Sequence, residues 1–185
     1  MKVERSAIAD VLLLEPKVFS DARGFFFESY NRRTFAQATG LDVEFVQDNH
    51  SRSSKNVLRG LHYQLRQAQG KLVRVTAGAI WDVAVDLRRS SASFGRWTAA
   101  RLDSDARRML WIPAGFAHGF LVLSEHAEVL YKSTDFYAPE HERTLLWNDP
   151  ALAIPWPLAD GPAGQPILAD KDRRGTPLAA ADTFD

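Results

Sequence analysis

Between residues 45 and 134 apolar and polar side chains alternate in short runs, the period of strands with one covered face. Strands are expected at 45–50, 57–64, 71–76, 80–87, 97–102, 109–112, 119–123 and 128–134. The run 80–87 has the cleanest alternation, with Trp81, Val83, Val85 and Leu87 on one face and Asp82, Ala84 and Asp86 on the other. Gly78 supplies the turn before it. Short strands separated by turns at this spacing predict an antiparallel sandwich or barrel.

Outside that block the period changes. Residues 31–40 read as a short helix, capped by Asn31, carrying a weak stripe of Thr34, Phe35 and Ala38, and ended by Gly40. Upstream, Asp21-Ala22-Arg23-Gly24 reads as a turn into a strand. The following Phe25, Phe26 and Phe27 cannot all face one side of a strand, so either both faces are covered or part of the run lies in a subunit interface, and an interface strand is the expectation. After Trp147, Pro150, Pro155, Pro157, Pro162, Pro166 and Pro177 argue against regular sheet and for an irregular wrap or lid.

Composition narrows the function classes. A chain of 185 residues, 45% hydrophobic and 25% charged, suits a single globular domain over 1–185. Lys plus Arg and Asp plus Glu balance at 23 each, so no general attraction to nucleic acid or anionic membrane is expected, and an anionic ligand needs a local basic cluster. The absence of cysteine excludes disulfides, thiolate metal sites and thiol nucleophiles. No leader-like segment or membrane-length apolar run is apparent, and a cytoplasmic location is expected.

The candidate chemistry starts at Asn56-Val57-Leu58-Arg59-Gly60-Leu61-His62-Tyr63-Gln64, where one imidazole follows a glycine inside a strand. Histidine titrates nearest neutrality and is the default proton carrier, although a lone strand histidine is more often packing. Its company comes later, in Pro113-Ala114-Gly115-Phe116-Ala117-His118-Gly119-Phe120. This Pro-x-Gly-x-x-His run resembles the second motif of the cupins, an all-β superfamily of double-stranded β-helix (jelly-roll) barrels. Metal-binding cupins need His-x-His and a carboxylate in the first motif. Here that place holds His62 alone, so the expectation is a metal-free, cofactor-free barrel with short peripheral helices.

The strings FSDARGFFFESYN, FVQDNHSRSSKNVLRGLHYQ, QGKLVRV, WDVAVDLRRSS, WIPAGFAHGF, LYKSTDFYAPEHE and LWNDP closely resemble the dTDP-4-dehydrorhamnose 3,5-epimerase family over about residues 8–150. The resemblance implies a homodimer that inverts C3 and C5 of a dTDP-4-keto-6-deoxyhexose. By motif match it makes His62 the base, Asp172 the carboxylate behind it and Tyr131 the opposing acid. The same match implies that Lys71, Arg23, Arg59 and Lys171 hold enolate and diphosphate, and that Tyr137 stacks on the thymine. Glu28, Gln47, Asp48, Asn49, His118 and Glu142 are the implied polar contacts. Ala169 departs from the family, which has serine there. Arg88, Arg89, Arg107 and Arg108 have no such match and are expected on the solvated surface.

Two geometric points stay open in the sequence. Arg59 and His62 fall on opposite faces of a regular strand, so reaching one ligand requires a bulge near Gly60. Asp170 and Asp172 are both placed to approach His62, and only the Lys-Asp match selects Asp172. The rival functions are a single-site epimerase or 3,4-ketoisomerase on the same barrel, a non-catalytic sugar-nucleotide binder, and a metal-dependent cupin oxygenase.

Overall fold

The computed structural model describes residues 1–158 and 164–185; Pro162 lies outside the described residues. Among the described residues, thirteen strands and two short α-helices follow in the order β1 (Lys2–Arg5), β2 (Leu12–Glu15), β3 (Phe19–Asp21), β4 (Gly24–Phe26), α1 (Arg32–Thr39), β5 (Gln47–Ser54), β6 (Leu58–Gln64) and β7 (Lys71–Ala77). Then come β8 (Ala79–Asp86), β9 (Trp97–Asp103), β10 (Met109–Ile112), β11 (Phe116–Val122), β12 (His126–Ser133), β13 (Glu142–Thr144) and α2 (Asp170–Arg173). A six-stranded sheet in the order β1-β2-β10-β7-β12-β5 faces a five-stranded sheet in the order β13-β6-β11-β8-β9, giving the double-stranded β-helix of an all-β jelly roll.

The core between the sheets is built from the inward residues of each strand, with Val73 and Val75 meeting Ile80, Ala84, Leu110, Ile112, Phe116, Phe120 and Val129. On β8 the alternation read from the sequence is present, and it is the Asp82, Ala84 and Asp86 set that shares the barrel side with Ile80. The apolar set, Val83, Val85 and Leu87, packs outward under Trp147, Leu152, Ile154 and Trp156 of the tail. Both faces of the five-stranded sheet are therefore covered, and Asp82 and Asp86 are fully buried. The tail is thus an irregular wrap, as its prolines foretell, and its α2 turn reaches back to the barrel mouth. Indole N–H donors anchor it: Trp156 Nε1 donates to the Trp147 carbonyl at 2.8 Å and Trp97 Nε1 to the Leu152 carbonyl at 2.9 Å.

α1 forms where its caps put it. Asn31 accepts from the Thr34 amide at 3.1 Å, and Gly40, at φ 76°, ends the helix in the left-handed region. Its buried Phe35 packs edge-on against Phe45 and Trp111, which covers the outside of the six-stranded sheet. Phe45 thus belongs to this cluster, and β5 begins two residues later than the hydrophobic alternation indicates.

Arg88 corrects the expectation of a solvated arginine. It forks onto Asp86 at 2.7–2.9 Å, reaches Asp10 at 2.8 Å and lies over the Phe116 ring. Burial works against ionising Asp86, but Arg88, Ser91 and Ser93 outweigh it and hold the carboxyl at about 2.

Strands β3 and β4 form a separate hairpin on which Phe19, Phe25 and Phe26 are 53%, 57% and 67% exposed. No helix among the described residues is long and apolar enough to cross a membrane.

Candidate active site

Between the two sheets lies a cleft of about 300 Å³ whose walls are mostly polar. Gln47, Asn49 and Ser51 reach it from alternate positions of β5, Lys71 from β7 and Tyr131 from β12, all on the six-stranded sheet. His62 and Arg59 line it from β6, and His118 and Phe120 from β11, on the facing sheet. Tyr137, Glu142, Ala169, Lys171 and Asp172 complete the rim.

Arg59 and His62 share the cleft because β6 bulges. His62 is paired with His118 and Arg59 with Phe120, so β6 takes three steps where β11 takes two. Gly60 absorbs the extra residue at φ 127°. A Cβ there would stand 2.5 Å from the Gly119 Cα, so the close approach of the two backbones excludes any side chain. Arg59 is then oriented by Ser53, whose hydroxyl accepts from Nε at 2.8 Å.

His62 Nε2–H donates to Asp172 Oδ1 at 2.5 Å. Asp172 is 2% exposed on α2, whereas Asp170 turns outward to Arg173, so the structure selects Asp172 as the partner. With Nε2 carrying the proton, Nδ1 keeps its lone pair. Burial lowers the His62 pKa below its ordinary 6.5, against the pull of the Asp172 hydrogen bond and with the repulsion of Lys171 and Lys71. The imidazole is therefore neutral at pH 7 and available as a base.

Across the cleft, burial raises the Tyr131 phenol above its ordinary 10, although Arg59 and Lys171 pull the other way, so the phenol keeps its proton through the neutral range. Burial also brings the Lys71 ammonium down to about 8, with Asp82 and Glu142 opposing that fall. Lys71 has no hydrogen-bonded anion among the described residues, which leaves its charge for a ligand. Turnover is expected to fall on the acid side as His62 protonates below pH 6.5. It is also expected to fall on the alkaline side as Lys71 loses its proton near pH 8. Lys71→Met should reduce kcat and erase the upper limb in a pH–rate profile; an upper limb unchanged in that variant would assign it to another group.

Other polar atoms are held ready. Asn49 Oδ1 accepts from Gln47 Nε2 at 2.9 Å, while the Asn49 Nδ2 donor is buried with no partner among the described residues. Tyr137 donates its hydroxyl to Glu142 at 3.3 Å, and Lys171 pairs with the same carboxylate at 3.0 Å.

Three of the expected ligand contacts do not meet the rest. Asp48 alternates with Gln47 and Asn49 on β5, so it faces outward and binds Lys132 at 2.8 Å. Arg23 sits at the hairpin turn with its side chain 90% exposed and paired with Asp21, and Glu28 is exposed and accepts from Asn31 at 3.0 Å. Conversely, the sequence reading passes over Ser51, Gln69, Phe120 and Asp82. Asp82 is the most consequential, a fully buried carboxylate that accepts from His118 Nε2 at 2.9–3.0 Å. Its signal was present in the alternation of β8, which sets an aspartate on the barrel side.

The sequence model of the family described as dTDP-4-dehydrorhamnose 3,5-epimerase matches residues 5–180. A dTDP-4-dehydrorhamnose 3,5-epimerase from Pseudomonas aeruginosa is 64% identical over 184 residues, covering 100% of this chain and 99% of that one. A crystal structure of the Legionella pneumophila 3,5-epimerase in complex with dTDP-4-keto-L-rhamnose superposes with a TM-score of 0.93 at 47% identity, covering 98% of this chain and 94% of that one. A 3'-monoepimerase from Streptomyces bikiniensis, in complex with dTDP-quinovose, gives 0.87 at 34% identity, covering 97% and 88%.

Proposed function

The chain belongs to the dTDP-4-dehydrorhamnose 3,5-epimerase family, and we propose that His62 and Tyr131 perform its two inversions from opposite walls of the cleft. The enzyme is an isomerase that converts dTDP-4-dehydro-6-deoxy-D-glucose to dTDP-4-dehydro-L-rhamnose. The observation that carries the mechanism is the placement of a neutral base on β6 of one sheet and a protonated phenol on β12 of the other, both lining one cavity.

The C4 carbonyl acidifies the protons on C3 and C5, since loss of either leaves an enolate. His62 Nδ1 removes the proton from one face of the sugar ring while Asp172 stabilises the imidazolium that forms. Lys71 holds the negative charge on the C4 oxygen. Tyr131 then delivers a proton to the opposite face of the same carbon, the enolate collapses to the ketone, and the configuration is inverted. Proton exchange with solvent restores His62 and Tyr131 before the second carbon reacts. Arg59 and Lys171 suit the diphosphate, and Tyr137 the thymine ring, with Gln47, Asn49, His118 and Glu142 as polar contacts.

We also propose a homodimer in which the β3–β4 arm reaches the cleft of the second copy, which would bring Arg23 and Glu28 to the same ligand. The arm's exposed Phe19, Phe25 and Phe26 provide the apolar surface that such a contact would cover. The whole chain then works as one catalytic domain with an N-terminal arm at the interface, in the cytoplasm. Sedimentation at micromolar concentration is expected to give a dimer, and Phe26→Glu to give monomers with weakened substrate binding. A wild-type monomer would remove the arm from the site.

The shared fold of the monoepimerase shows that architecture alone does not fix the number of inversions. Reducing the product with borohydride is expected to trap a rhamnose-configured sugar. A product inverted at one carbon would place the chain among the single-site epimerases.

A further inference from the structure

Gln64 lies two residues beyond His62 on β6, is only 4% exposed, and does not itself line the cleft. Its amide is spent entirely on backbone groups of two loops, the one that follows β6 and the one that follows β12. Nε2 donates to the carbonyls of Gln67 at 2.8 Å and Phe136 at 3.1 Å, and Oε1 accepts from the Ala138 amide at 3.0 Å. Two of these bonds bracket Tyr137, fixing the peptide before it and the peptide after it. Tyr137 has little else to define its position. It is 53% exposed, belongs to none of the buried clusters, and is otherwise tied through its amide to Gln47 at 2.9 Å and through its hydroxyl to Glu142 at 3.3 Å.

We propose that Gln64 is a positioning residue that sets the Tyr137 ring as a platform for the nucleobase, at a spacing from His62 fixed by their common strand. The inference rests on the reading that the thymine ring stacks on Tyr137. A flat ring that is half exposed stacks well only if its backbone is already held, because an unfixed loop loses conformational entropy on binding. Gln64 and His62 are separated by one residue of a paired strand, so the same β6 backbone sets both ends of the ligand. Leucine or methionine at 64 would fill the space but leave the Phe136 carbonyl and the Ala138 amide without partners.

The test is calorimetric binding of dTDP to the full-length protein carrying Gln64→Met, Tyr137→Ala or both, with steady-state turnover measured in parallel. Tyr137→Ala is expected to raise the Kd for dTDP roughly tenfold or more, the scale of losing one base–aromatic stack. Gln64→Met should raise it several-fold, change KM more than kcat, and add nothing further in the Tyr137→Ala background. If Gln64→Met does not fold, Gln64→Glu serves in its place; it keeps the acceptor for Ala138 and loses the two donated bonds. A Gln64 variant that binds dTDP as the wild type does, or that weakens binding by the same factor with and without Tyr137, overturns the inference while the nucleobase reading stands. If Tyr137→Ala binds dTDP normally, the nucleobase reading fails, and the inference fails with it.

Discussion

His62→Ala is expected to lower turnover on the order of a thousandfold and to stop solvent deuterium from entering the sugar at C3 and at C5. Both effects follow from the proposed role of His62 as the base for both carbons. The Asp172 hydrogen bond at 2.5 Å fixes the Nε2–H tautomer, and burial keeps the ring neutral, so the lone pair on Nδ1 is the basic site. Alanine removes that site and leaves a buried carboxylate without its partner. The variant should nevertheless bind dTDP, because Arg59, Tyr137, Glu142 and Lys171 line the cleft independently of the imidazole. Retained exchange at one carbon would mean that a second base, for which His118 is the nearest imidazole in the cleft, acts there.

Tyr131→Phe is expected to separate the two halves of the reaction. The phenyl ring keeps the wall of the cleft in shape, and the phenol has no hydrogen-bonded partner among the described residues for its loss to strand. His62 still removes protons, the imidazolium exchanges them with the deuterated solvent, and deuterons return to the face from which the protons came. Deuterium should therefore enter the substrate at close to the wild-type rate, while inversion falls by about a hundredfold or more. Full inversion in this variant would assign the acid to another group. Slow exchange together with slow inversion would instead give Tyr131 a part in forming the enolate.

Most of the fold is legible in the sequence where local rules decide. Asn31 and Gly40 bound α1 through their own side-chain and backbone chemistry, and the strands from β6 to β12 follow from short β-prone runs separated by turns, with the clearest period-two alternation on β8. β5 shows why the rest is harder. Its inward residues Gln47, Asn49, Ser51 and Ser53 face the cleft or its edge and not an apolar core, so a search for hydrophobic alternation finds only its first half. The polarity that hides the strand is the polarity of the site.

The site itself divides along a similar line. His62, Tyr131, Lys71 and His118 come together from four strands that no spacing rule connects, and the motif match anticipates them where periodicity alone cannot. The bulge at Gly60 was required by putting Arg59 and His62 on one ligand, and it is present because Gly60 and Gly119 pack backbone to backbone. Asp82 escaped because an aspartate on one face of an amphipathic strand reads as solvated, whereas here that face is the barrel interior. Arg23 and Glu28 lie outside the cleft of their own chain, paired with Asp21 and Asn31, and strand periodicity carries no signal that separates them from the residues that line it.

The most direct measurement is proton NMR of dTDP-4-dehydro-6-deoxy-D-glucose turning over with the protein in deuterated water. A base and an acid on opposite walls of one cleft predict deuterium at both C3 and C5 of an L-rhamnose-configured product. Deuterium confined to one carbon would contradict the double inversion, and binding without any exchange would contradict catalysis at this site.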